Sequence, residues 1–240
     1  MAKPDRIELP GVEPIAILHE DRSVLAIDKP RGWMLVPFSW QKTNRNLQAA
    51  LTSSIAAGDF WARSRGLKFL RFVHRLDAET SGVLLLAKSP GALDAISGLF
   101  ESRQMEKTYL AVTRGAPKQS EWICRLKLAP DPQAIGRVKV DARRGKAAET
   151  WFRVRQIRGT TALVEARPLT GRTHQIRVHL AESGCPVKGD ELYGRAGDGV
   201  RLGLRAVRLA YRDPFMRRRV EIHAPMEEFC REYGFELPSL

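Results

Sequence analysis

The stretch HRLDAETSGVLLLAKS, residues 74–89, sets an acid, Asp77, between a basic dipeptide and a wholly apolar run. If residues 74–77 are extended, side chains alternate, so Arg75 and Asp77 share one face and His74 and Leu76 the other. Glu79, Thr80, Ser81 and Gly82 are turn formers, and VLLLA at 83–87 has the unbroken apolarity of a strand buried on both faces. Asp77 therefore stands at the rim of a buried strand. A carboxylate there must find a charged or hydrogen-bonding partner, or its ionisation is disturbed. The residues alone leave two readings open: a turn or capping residue, and a catalytic acid.

Outward from this stretch, short segments rich in β-branched and aromatic residues recur between turn residues: IAILHE, SVLAIDKP, KTYLAVTRG, ETWFRVRQI, TALVEARPL, LRAVRLAYRD and RRRVEIHAP. Helices interrupt them. Ser89-Pro90 opens one as N-cap and first helical residue, with Leu93, Ile96, Leu99 and Phe100 at helical spacing through about Gln104. A second is predicted from about Thr173 to the glycine stop at Gly184, and a weaker one over Leu47 to Ile55. The class is α+β, with a mostly antiparallel sheet. No repeat or linker divides the chain, so residues 15–240 read as one domain after a loose lead-in at 1–14, with PSL as a frayed tail.

The chain has 40 Lys and Arg against 27 Asp and Glu, a net charge of +13, and 43% hydrophobic residues, ample for a core. Such a surface gains entropy by releasing counterions from a polyanion, so nucleic acid is the leading partner. Of the basic residues 29 are Arg, whose planar fork suits phosphate and stacks on bases; the plain alternative is the Arg-rich usage of a GC-rich genome. Three distant cysteines, Cys124, Cys185 and Cys230, make neither a disulfide framework nor a metal knuckle and fit a reducing cytoplasm. The longest apolar run is VLLLA, far short of the ~20 residues that span a bilayer, and the N-terminus lacks a secretion signal.

The segment TGRTHQIRVHLAESG, 170–184, bears on Asp77. On a helical wheel from Thr173, Arg177 falls close to the stripe of Thr173, Ile176 and Leu180, near the face that packs inward. A guanidinium there either snorkels to water or pairs with a carboxylate. Arg172, at a helix start where the dipole repels cations, is oddly placed unless it binds an external anion. His174 and His179 stand five apart and diverge by roughly 140°, unlike a zinc pair at i, i+4, so no metal site is expected. Neither a phosphate-binding glycine loop nor the GxSxG elbow is present. From Arg195 to Arg219 the chain carries eight arginines and two acids, Asp198 and Asp213, either a solvated basic face or an RNA track.

Together, HRLDAETSGVLLLAKS, EKTYLAV at 106–112, GKAAETWFRV at 145–154 and LTGRTHQIRVHLAESGCPVKGDELYG at 169–194 resemble the RluA family of RNA pseudouridine synthases. VLAIDKPRGWMLVP at 24–37 is similar to that family's N-terminal strand and turn, and the resemblance covers about residues 15–226. It implies a pseudouridine synthase fold: a curved, mixed but largely antiparallel β-sheet flanked by helices, with the active cleft across its middle. The family turns a uridine already in RNA into pseudouridine without cofactor or metal, breaking the bond from ribose C1′ to N1 and remaking it to C5.

By resemblance Asp77 is the catalytic carboxylate, whether it attacks C1′ or removes a ribose proton to give a glycal; either role needs an ionised, fixed acid. Arg177 is implied as its salt-bridge partner, and Tyr109 as the aromatic against the target base, able to shuttle the C5 proton. Arg75 is implied to take the place of the flipped uridine in the stack. His74 is expected to contact the RNA backbone or to pack. Arg172, Lys188 and Lys29 are candidates for phosphate contact, or plain surface charge.

Two departures stand out. The family often carries a small RNA-binding domain ahead of the catalytic one, and only about 14 residues precede the first strand here. Arg205 stands in LGLRAVRL where relatives often have His. The expectation is a cytoplasmic monomer acting on structured RNA, transfer or ribosomal, with a lean to transfer RNA from its compact form. Two rival readings fit less well. A silent RNA-binding protein or chaperone has no use for an acid facing a polyanion. A nuclease needs clustered carboxylates for metal, and Asp77 with Glu79 is too few.

Overall fold

The computed structural model describes residues 2–9, 13–35, 45–194 and 199–239. Its elements in chain order are β1 (Arg6–Ile7), β2 (Ile15–Glu20), β3 (Val24–Lys29), α1 (Leu47–Ala57), α2 (Phe60–Arg63), β4 (Arg71–Phe72), β5 (Ser81–Ala87), α3 (Pro90–Glu101), β6 (Glu106–Arg114), β7 (Glu121–Cys124), β8 (Leu128–Pro130), β9 (Val138–Val140), β10 (Thr150–Arg158), β11 (Thr161–Pro168), α4 (Gln175–Glu182), β12 (Leu204–Arg212), β13 (Arg219–His223) and α5 (Glu227–Glu232). Each strand segment read from the sequence is a strand here. The short β1, β4, β7, β8 and β9 and the helices α2 and α5 were not foreseen, because two to six residues carry no periodicity to read.

The chain divides into two compact units, residues 1–105 with 209–224, and residues 106–208 with 225–240. In the first, β3 lies between β2 and β5, antiparallel to both, with register running from Val24↔Ala87 to Lys29↔Gly82. All seven residues of β5 are buried, as its unbroken apolar run requires. Leu84, Leu85 and Leu86 are each 0% exposed, and burying each side chain contributes ~1.5–3 kcal/mol. Packed on this sheet are Ala92 and Ile96 of α3, whose predicted cap is in place: the Ser89 hydroxyl accepts from Ala92 N. Asn46 caps α1 in the same way, and Gly58 ends it in the left-handed conformation that glycine adopts without strain. The lead-in is tied down at β1, where Arg6 and Ile7 pair with Ala16 and Ile15, and Ile7 is fully buried.

In the second unit β11 lies between β6 and β10, antiparallel to both, and β7 extends the sheet beyond β10. Phe152, Val164, Ala166, Ile176 and Leu180 form its core, so α4 packs on this sheet. The strand β12 gives its first residues to this unit and its last to the other. Arg205 is buried and donates through Nε to the Pro225 carbonyl, anchoring the segment that leads to α5. Among the described residues no helix is long and apolar enough to cross a membrane. Arg195 and Asp198 of the basic stretch, and the last residues of VLAIDKPRGWMLVP, lie outside the described residues.

Candidate active site

Asp77 lies on the tight turn that feeds β5. Residues 71 and 72 pair with Ala87 and Leu86, Val73 N donates to Leu85 O, and Leu85 N donates to His74 Nε2 at 3.0 Å. The chain thus runs back along β5 until Thr80 N closes onto Asp77 O at 3.1 Å. Leu76 is buried, Asp77 half-buried and Arg75 exposed. His74 accepts from Leu85 N through Nε2 and stacks on Phe100 at 4.7 Å.

What fixes the turn is Lys29. Its cross-strand partner is Gly82, whose φ of +112° suits only glycine, and this places the lysine end of β3 beneath the turn. The Nζ donates to Ala78 O at 2.7 Å, Thr80 O at 3.0 Å and Pro30 O at 3.0 Å, with the side chain 0% exposed. Three ammonium protons meet three carbonyls. Gly32 N adds a fourth tie, to Ala78 O at 2.9 Å. Burial pushes Lys29 down to about 7, against the pull of the Glu79 and Asp77 carboxylates. The expected phosphate contact does not fit this geometry: every proton of Lys29 is used inside the fold. Lys29 holds the turn that carries Asp77.

In the second unit, Tyr109 sits on β6 opposite Ala166, half-buried against the core. Lys107, two residues earlier and so on the same strand face, donates to Thr170 O at 3.2 Å, and burial lowers it to about 8. Arg177 is 7% exposed on α4 and meets Asp190 bidentately, Nε to Oδ2 at 2.7 Å and Nη2 to Oδ1 at 2.8 Å. Asp190 also accepts from Leu192 N and Tyr193 N, and Tyr193 lies under the guanidinium at 5.2 Å. Burial opposes the charge on Asp190, but the Arg177 hydrogen bonds and charge, helped by the two N–H groups, hold it below the usual carboxylate range.

The helix starts at Gln175, later than the predicted Thr173, because His174 adopts a left-handed φ of +53°. That backbone costs roughly 1 kcal/mol or more and is held by a hydrogen bond between His174 Nδ1 and Tyr193 Oη at 2.8 Å. Residues 175–180 are all buried, so Arg177 points inward because the helix has no wet side there, not because of an apolar stripe. Gln175 satisfies its whole amide: Oε1 accepts from Thr170 Oγ1 and Arg172 N, and Nε2 donates to Glu149 O and Thr150 Oγ1. His179 joins through Thr150 Oγ1 and Leu126 O, and burial lowers its pKa. TGRTHQIRVH is thus mainly a lattice that orients Arg177. Arg172 is exposed, with Nε on Ala147 O, and Lys188 lies 6.0 Å from the centre of the Tyr233 ring.

Asp190, Gln175 and Lys107 were not singled out from the sequence. An acid directly after glycine in KGDELYG was the available signal for Asp190.

This architecture is the pseudouridine synthase fold. The structure matches that titled human RNA pseudouridylate synthase domain containing 4, with a TM-score of 0.75 and 24% identity, over 93% of this chain and 94% of that one. It matches domain containing 1 of the same human series equally, at 0.75 and 26% identity, over 98% and 94%. The chain belongs to the RNA pseudouridylate synthase family, whose model matches residues 23–182. Among curated proteins it is 35% identical over 228 residues to ribosomal large subunit pseudouridine synthase C of Escherichia coli K12, covering 88% of this chain and 66% of that protein. Against the protein of the same name from Vibrio vulnificus it is 35% identical over 224 residues, with the same coverage.

Proposed function

We propose that this chain isomerises uridine to pseudouridine in RNA of the large ribosomal subunit, as a monomeric cytoplasmic enzyme whose residues 15–240 form one catalytic domain. The observation that carries the reading is the family match over residues 23–182, which takes in Asp77 on its Lys29-held turn, Tyr109 and Arg177. Asp77 acts as the catalytic carboxylate on ribose C1′ or on an adjacent ribose proton, releasing N1 so that the base turns and bonds through C5. Arg177, whose fork meets Asp190, is the fixed guanidinium that the resemblance implies for this chemistry, and Tyr109 lies against the base. Exposed Arg75 occupies the gap that the flipped uridine leaves. Arg172 and Lys188 serve phosphates. The relatives' ribosomal names favour ribosomal over transfer RNA, and transfer RNA is kept as the second arm of the test.

That test is release of tritium from uridine C5 in large-subunit ribosomal RNA and transfer RNA transcripts, assayed separately. Bonding C5 to ribose expels that hydrogen. Release from ribosomal RNA alone supports the reading in full, release from transfer RNA alone moves the substrate, and release from neither removes the activity.

A further inference from the structure

The stretch YRDPFMRRR, 211–219, lies in the first unit and is not absorbed by the catalytic reading. Tyr211 is buried at the end of β12, and the chain returns as β13 after a short turn. Asp213, 3% exposed, builds that turn: its Oδ1 accepts from Phe215 N and Met216 N at 2.7 Å each, and its carbonyl accepts from Arg217 N at 2.9 Å. Asp213 N donates to Arg218 O at 2.8 Å, and Arg212 Nε donates to Arg217 O at 3.0 Å. Pro214 presets its own backbone, and Arg217 takes a left-handed φ of +54°. The turn is therefore built, and what it holds out is apolar: Phe215 is 52% exposed and Met216 69%.

The charge around this tip has one sign. Arg212, Arg217 and Arg218 are exposed, and among the described residues none of them forms an ion pair with a carboxylate; the nearest acid, Asp213, is spent on backbone N–H groups. β13 lies against β2, and the Tyr211 phenol is pushed well up, by burial first and then by Asp21 and Asp213, so the tip stands at the Asp21 end of β3. Exposed Arg22 belongs to that same end. Asp77 is at the other, beyond Lys29, and the six residues of β3 separate the two ends by about 17 Å at ~3.4 Å a residue.

We infer that the Pro214–Arg217 turn is a second RNA contact, Phe215 stacking on an unpaired base while Arg212, Arg217 and Arg218 hold the phosphates beside it. An aromatic platform rimmed by guanidinium groups is the arrangement that binds single-stranded nucleic acid, with stacking supplying affinity and the cations the backbone grip. A protein partner of the bare apolar tip would not need the unopposed arginines. Standing apart from Asp77, this contact selects RNA by what surrounds the target uridine. It rests on the proposed function only in taking RNA as partner.

The experiment is fluorescence anisotropy with a labelled uridine-loop RNA hairpin carrying a single-stranded flank, across a salt series, beside single-turnover tritium release at saturating RNA. Phe215→Leu keeps the apolar volume and loses the stacking face, so affinity should fall about tenfold while Phe215→Trp restores it. Arg217→Gln with Arg218→Gln should lower the slope of log affinity against log salt by about 1.5. The single-turnover rate should stay at wild type in each. Unchanged affinity and slope would overturn the inference and leave the tip to a protein partner or to no partner. A parallel loss of single-turnover rate would also overturn it, since the tip would then belong to the catalytic centre. If no variant releases tritium but the binding changes appear, the contact stands and the proposed activity falls.

Discussion

Lys29 in the first unit and Arg177 in the second are both buried cations, and the fold treats them differently. Lys29 gives its three protons to backbone carbonyls of the turn that carries Asp77. Arg177 gives its planar fork to the Asp190 carboxylate. A compact ammonium suits three converging carbonyls, and a guanidinium suits two parallel oxygens. The difference has a chemical consequence. Lysine yields its proton when buried, so Lys29 is pushed to about 7, whereas an arginine stays charged. The charge on Lys29 thus depends on pH near neutrality, and the charge on Arg177 does not.

The largest effect expected is at the acid that the first cation positions. Asp77→Asn should reduce tritium release by at least about a thousandfold while RNA affinity holds or improves, because a carboxylate facing phosphates repels them; retained turnover would remove Asp77 from the chemistry. Next comes Arg177→Ala, which strands Asp190 buried and unpaired. About 3–5 kcal/mol of unfolding free energy should be lost in urea titration. A double-mutant cycle with Asp190→Asn should return much of it, and additive losses would show that the two act separately. The pair's stability should be complete above about pH 4 and fade as the pH falls below it, since Asp190 is held below its unfolded range.

Lys29 should show the opposite limb. Unfolded lysine keeps its proton to about 10.4, whereas folded Lys29 sheds it near 7, so between these values the unfolded chain binds more protons. Stability should rise with pH across that window by up to about 1.4 kcal/mol per unit relative to Lys29→Met. Turnover should fall over the same range, as an amine has two donors for three carbonyls and the Asp77 turn loosens. A flat difference between wild type and Lys29→Met in urea titrations at several pH values would break the comparison. The smallest effect is Arg177→Lys, which keeps the charge and loses the fork; about 1–2 kcal/mol should go, with no new pH dependence below about pH 9.

Much of this was legible in the chain. Alternation and apolar runs located the long strands, Ser89-Pro90 announced α3, and the turn formers after Asp77 put it at the rim of a buried strand. The inward direction of Arg177 was also readable, though its reason was not. A stripe was assumed, and the helix is buried all round for its first six residues.

What the sequence by itself determined is therefore local: which segments are extended, where helices are capped, and that HRLD ends in a turn against VLLLA. These follow from side-chain period and backbone preference over a few neighbours. Tertiary structure alone decided that Lys29 serves carbonyls 49 and 51 residues away, and that Arg177 meets Asp190 across 13 residues and a turn. A lysine or an aspartate reads the same in sequence whether it faces water or a cage of acceptors. Only burial makes it choose a partner, because only there does an unpartnered charge cost more than the order needed to pair it.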